Sequence, residues 1–221
     1  MAIIRIKPSK LSFYDNQKTK YSGSKVLEVT GADFVFNASL FKMDSTLAPL
    51  CDVKINGVIV SDDQYSYRGF AWNNGDARAY HKVSGTDMAN YDNFVSCLML
   101  STAEHGKLTL DSNNVANLDG YNKRARTAFG YTADGTMVVL CGTGSNGYTI
   151  AEVQTLMYDT EKCLDSINLD GGGSSQLYSK GDKYGTISSS RTVSNYICVW
   201  VQPPDTTAPV IESITSPLNN Q

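Results

Sequence analysis

The sequence is short of histidine, of clustered basic residues and of paired cysteines. His81 and His105 lie in polar segments without a second ligand at metal-binding spacing, so a zinc site is not expected. The five cysteines, Cys51, Cys97, Cys141, Cys163 and Cys198, are odd in number, form no C-x-x-C pair and mostly sit in apolar runs. They read as buried thiols rather than a disulfide framework. Lysines and arginines are scattered and the formal net charge is −3. Nucleic acid is therefore excluded as a main partner, because backbone binding needs a basic footprint. Any anionic ligand has to be met by a local group of positive charges. No apolar run is long enough to cross a bilayer, so membrane insertion is not expected. Met1 to Lys7 alternates like a strand and lacks a signal peptide's apolar centre and cleavage site, so export by that route is not expected.

What is present suits one sizeable domain. The chain has 221 residues, 41% hydrophobic and 19% charged, within the ordinary globular range. Residues 1–30 read as two or three short strands broken at Pro8 and Gly23, packed on or leading into a main domain at 31–202. Further strands are expected at 33–36, 70–72, 95–100, 107–110 and 196–201. Asn56-Gly57 supplies a type I′ turn for a hairpin at 53–60. Ala133-Asp134-Gly135 closes a second hairpin, 127–131 with 137–141. One helix stands out. Thr149 and Glu152 form a capping box, and Ile150, Val153, Leu156 and Met157 recur at helical spacing, giving a helix at about 149–163. The fold class is α+β: a β-rich single domain with mixed sheets and one main helix. The stretch 65–91, rich in Tyr, Asn, Asp and Gly, either offers aromatic faces such as Trp72 to sugar rings or is a surface excursion. Residues 203–221 read as a linker or tail, with 205–211 resembling the entry to a β-sandwich module.

The segment Ser166-Ile167-Asn168-Leu169-Asp170-Gly171-Gly172-Gly173-Ser174-Ser175 carries the chemistry. With Ile167 and Leu169 facing a core, Asn168 and Asp170 face the other way. Three glycines then permit positive φ and close backbone approach, so that N–H groups can converge on an anion. Taken alone, such a cluster is also an ordinary turn. Its place between two strands argues against a linker.

The run INLDGGGSSQLY after the helix resembles the signature of the phosphodiester glycosidase family, which includes the mannose 6-phosphate uncovering enzyme. RARTAFGYTADGTMVVL, residues 124–140, is similar to the family's Arg-Thr-Ala hairpin, and FVFNASLF, residues 34–41, stands in place of an early Asn-Gly-Gly element. The resemblance spans about residues 30–201. It departs from the family at Ala38 and Ser39, where glycines are usual.

The resemblance implies cleavage between a sugar's anomeric carbon and a phosphodiester. The departing phosphomonoester has a second pKa of about 6 and leaves as a stable anion, so a proton donor is less needed than in ordinary glycosidases. Asp170 is the expected catalytic carboxylate; it activates water, stabilises the cationic sugar, or holds a divalent cation such as calcium that grips the phosphate. These roles stay open. Arg126 is the expected phosphate fork, helped by Thr127, Gly171, Gly172, Gly173, Ser174, Ser175 and, near the C-terminal strand, Arg191. Asn37 and Asn168 would orient the sugar or the loop. The expected partner is a carbohydrate or phosphorylated glycan such as a teichoic-acid-like surface polymer. The absence of a signal peptide and the Thr/Pro stretch fit a phage tail or baseplate component released by lysis, for which a homo-oligomer would be natural. The alternative reading is an inactive glycan-binding or structural module, with the side chains of Ala38 and Ser39 filling the site.

Overall fold

The computed structural model describes residues 1–62, 68–83, 86–144 and 147–201. The expected linker or tail at 203–221 and part of the 65–91 stretch lie outside the described residues. The strands are β1 (Ala2–Ile6), β2 (Pro8–Asp15), β3 (Phe34–Asn37), β4 (Val53–Ile55), β5 (Val58–Ser61), β6 (Arg68–Trp72), β7 (Tyr80–Val83), β8 (Asn93–Ser96), β9 (Leu98–Thr102), β10 (Gly106–Lys107), β11 (Thr127–Thr132), β12 (Met137–Cys141), β13 (Cys163–Asn168), β14 (Leu177–Ser179) and β15 (Asn195–Val201). The helices are α1 (Gly23–Thr30), α2 (Thr86–Ala89), α3 (Ser112–Asn117) and α4 (Ile150–Thr155).

Three sheets form, with orders β1-β12-β11-β13-β9-β10, β14-β3-β15-β2 and β5-β4-β8-β6-β7. Every pairing is antiparallel, rather than mixed as expected, because hairpins and long returns join the strands without βαβ crossovers. The three inner faces share one core. Phe36, Phe70 and Phe129, one from each sheet, meet there, with Phe129 centroids 5.7 and 4.7 Å from Phe36 and Phe70. Trp72 is fully buried in that core and offers no face to a sugar.

Period-2 alternation sets the layers. Along β12, Met137, Val139 and Cys141 point into the shared core, while Val138 and Leu140 point outward beneath Ile150, Val153 and Met157 of the main helix. That helix has the expected capping box, with Thr149 and Glu152 bonding each other's backbone. Its α-helical part ends at Thr155 and continues as a π-helical turn, Leu156–Thr160, closed by the Glu161 N–H on the Leu156 carbonyl at 2.9 Å.

Two local expectations are corrected. Residues 23–30 form α1 rather than strand, capped by Ser22 and by Gly31 at φ 68°. Gly23 is no strand break: a Cβ there would lie 2.3 Å from the Tyr178 ring, so the helix packs close against β14. The apolar run 95–100 is not one strand either. It turns a corner at Cys97, leaving β8 in the five-stranded sheet and β9 in the six-stranded one.

Candidate active site

The site is built where β13, central in its sheet, ends against the loops that follow β3 and precede β11. Ile167 and Leu169 are in the core, and Asp170, two residues past the strand, lines a cavity together with Asn168. Main-chain bonds clamp it there. The Asp170 N–H donates to the Ala38 carbonyl at 3.0 Å, and the Asn37 amide donates to the Asp170 carbonyl at 2.8 Å. Asn37 is a buried hub: its Oδ1 also accepts from the Thr127 hydroxyl (2.8 Å) and the Gln176 N–H (3.0 Å). Thr127 is thus spent inside the protein, tying β11 to β3.

The glycines answer different demands. A Cβ at Gly171 would lie 2.8 Å from the Ala125 carbonyl oxygen, and Gly172 has φ 60° with open space around it. The Gly171 N–H bonds the Asp170 carboxylate at 2.8 Å and the Gly172 N–H bonds the Ala125 carbonyl at 2.7 Å. Gly173 is the exposed member of the three. The loop therefore holds its own carboxylate rather than pointing all its amides at one external anion.

The two arginines separate in role. Arg126 is almost wholly buried, and its guanidinium donates to the carbonyls of Leu118, Asp119, Asn122 and Tyr148 at 2.7–3.0 Å. Those bonds organise residues 118–122, although Arg126 still lines the cavity beside Asp170. Arg191 lies against the glycine loop and donates to the Ser174 hydroxyl at 3.2 Å, and both residues favour the ionised form of Asp170. Burial pushes the Asp170 carboxyl up to about 6, against the opposing pull of Ser174, the Gly171 N–H and Arg191.

Two cavities adjoin this centre. The smaller, about 250 Å³, is lined by Leu40, Asn117, Asp119, Asn168, Asp170 and Gly172, among others. The larger, about 530 Å³, is lined by Lys123, Arg124, Thr143, Gly172, Ser175 and Ser188, among others. Gly172 and Arg124 belong to both. Asn168 Oδ1 and Ser175 Oγ are buried without hydrogen-bond partners, one residue on each cavity. Ala38 and Ser39 line neither. Ala38 sits in the core, and Ser39 exchanges hydrogen bonds with the Asn195 side chain.

Sequence reasoning did not single out Asp119 or Arg124. Arg124 Nε lies 2.5 Å from Asp119, and with the Asn122 amide it holds that carboxylate below its usual range. The only signal was the density of polar residues just ahead of the hairpin. Glu104 and His105 pair with each other at 3.7 Å and line neither cavity. Among the described residues, no three His, Cys, Asp or Glu side chains gather as a metal site, and all five cysteines are buried free thiols.

The fold is similar to that of the zebrafish N-acetylglucosamine-1-phosphodiester alpha-N-acetylglucosaminidase catalytic domain auto-inhibited by its pro-peptide. That match has a TM-score of 0.69 and 16% identity, over 87% of this chain and 73% of the other. A hypothetical protein from Synechocystis matches with a TM-score of 0.70 and 13% identity, over 90% of this chain and 59% of its own. A Burkholderia pseudomallei protein described as exported matches at 0.57 and 13%, over 90% and 73%. No curated protein matches the sequence. The sequence model of the phosphodiester glycosidases matches residues 30–200, which include Asn37, Arg126, the Asp170 loop and Arg191, and the chain belongs to that family.

Proposed function

We propose that this chain is a hydrolase that cuts the bond between a sugar's anomeric carbon and a phosphodiester, in a cell-surface or teichoic-acid-like polymer. The observation that carries this reading is Asp170, held on a glycine loop at a cavity by the Gly171 N–H, with Arg191 bonded to the nearby Ser174 hydroxyl. Its bond from the Gly171 N–H and the pull of nearby Ser174 fit the ionised form. As a carboxylate it acts as general base on water, or shields positive charge on the sugar. Arg124, on the wall shared by the two cavities, supplies the positive charge on the phosphate side, with Arg191 behind Ser174, and Arg126 fixes the loop that carries Asp119. The leaving phosphate needs no proton, so one working carboxylate suffices. The alternative, an inactive module whose site is filled by Ala38 and Ser39, loses its support because neither side chain reaches a cavity.

The test is release of free reducing sugar from sugar 1-phosphodiesters. Asp170→Asn should lower kcat by about a hundredfold or more. A rate near wild type would remove Asp170 from the chemistry. The rate should rise with pH through about 6 and level off above it, because the ionised form does the work. Chelation by EDTA separates the base from a cation-binding Asp170: an unchanged rate supports the base, and a loss restored by calcium supports the cation.

A further inference from the structure

The two cavities differ in chemistry as well as size, and that difference gives the site a direction. The smaller presents the amides and carboxylates of Asn117, Asp119, Asn168 and Asp170 together with Arg124 and Arg126, whose guanidinium groups are engaged by Asp119 and by four main-chain carbonyls. Acceptors of this kind suit the hydroxyls of a neutral sugar and repel a second phosphate. The larger presents Lys123 and Arg124 with the hydroxyls of Thr143, Ser175, Ser188 and Ser190. Among the described residues no aromatic side chain lines it, so a nucleobase has nothing to stack on. Ala125 and Ile187 are its only apolar side chains among them, too few for a lipid tail.

We propose that the larger cavity binds the leaving half of the substrate, and that this half is a polyol phosphate. The inference rests on the reading of Asp170 above. The sugar occupies the 250 Å³ cavity and the scissile diester crosses the shared wall at Gly172 and Arg124. The hydroxyl-rich, anionic aglycone then lies along the 530 Å³ cavity. Ligand sites span about 300–1,000 Å³, so the smaller cavity by itself is undersized and the larger is not. Each half has a buried polar atom without a protein partner, Asn168 Oδ1 on one side and Ser175 Oγ on the other. A buried group left unpaired is unfavourable by about 1–3 kcal/mol, and a ligand hydroxyl or phosphate removes that penalty. Lys123 and Arg124 can be recruited. Their present ion pairs, with Glu152 at 3.1 Å and Asp119 at 2.5 Å, involve substantially exposed side chains and are individually weak.

The probes are a glycerol phosphate oligomer, titrated calorimetrically, and a panel of hexose 1-phosphate methyl diesters, assayed for turnover. The oligomer should bind the wild-type chain. Ser188→Trp, which fills the larger cavity from an exposed position, and Lys123→Glu should each weaken it by about tenfold or more. Asn168→Leu, on the smaller cavity, should leave oligomer binding within about twofold. Oligomer binding that is absent, insensitive to both larger-cavity variants, or equally weakened by Asn168→Leu overturns the assignment. The two readings fail separately. Turnover of a methyl diester without oligomer binding leaves the hydrolase reading standing and this one refuted. Cavity-dependent oligomer binding without turnover of any diester does the reverse.

Discussion

Asp170 is placed where its neutral form is favoured, yet its proposed work needs the charged one. Its folded-state value of about 6 lies above the ordinary 3.8, so the native state binds the proton more tightly than the unfolded chain does. Stability contributed by this group is therefore fully present below about pH 4, falls as pH rises towards 6, and stays at its lower level above. The loss is on the order of 2 kcal/mol once partial exposure is allowed for. Asp170→Asn should accordingly raise Tm at pH 8 by a few degrees while lowering turnover by about a hundredfold or more, with no gain in Tm below pH 4. A lower Tm at pH 8 would contradict the burial argument. The glycines beside it should separate in the same way. Gly171→Ala drives a Cβ into the Ala125 carbonyl and should lose about 1–3 kcal/mol in chemical denaturation together with activity. Gly172→Ala meets only a left-handed backbone and should lose about 1–2 kcal/mol. If the two variants were equally stable, crowding at Ala125 would not be the constraint.

Residues 118–122, between α3 and β11, are shaped by main-chain carbonyls converging on Arg126. Arg126→Lys keeps a charge but cannot reach four acceptors, so it should destabilise the fold by about 3 kcal/mol or more and reduce activity through loss of loop geometry. A large rate loss with less than about 1 kcal/mol of destabilisation would instead make Arg126 a direct phosphate contact. Elements like these mark where sequence reading stops. Asn56-Gly57, the Thr149–Glu152 box and the β11–β12 hairpin were legible because their signals are local turn and cap chemistry. The glycine loop was legible because only glycine suits Gly171 and Gly172. The partners of Arg126 were not, since carbonyl oxygens carry no residue signature. Helix α1 was missed because it buries one helical side chain, Val26, and carries the β-branched Val29 and Thr30. The corner at Cys97 was missed because an apolar run shows burial but not which sheet each half joins.

The whole molecule is closed by pairings remote in sequence. β1 pairs β12 with Ala2 opposite Cys141, and β2 pairs β15 with Asp15 opposite Asn195. Removing residues 1–15 would take Ile4, Ile6, Leu11 and Phe13 out of the shared core and expose the side chains they cover, so that deletion should abolish the cooperative unfolding transition seen by circular dichroism rather than trim a dispensable arm. The same arrangement governs how the chain is born. Strand β2 has no sheet partner until residues 195–201 have been synthesised, roughly 10–40 s after it emerges at about 5–20 residues per second. Until then Phe13 can pack only on partners made earlier, such as Trp72, and the four-stranded sheet cannot close before nearly the whole domain has emerged.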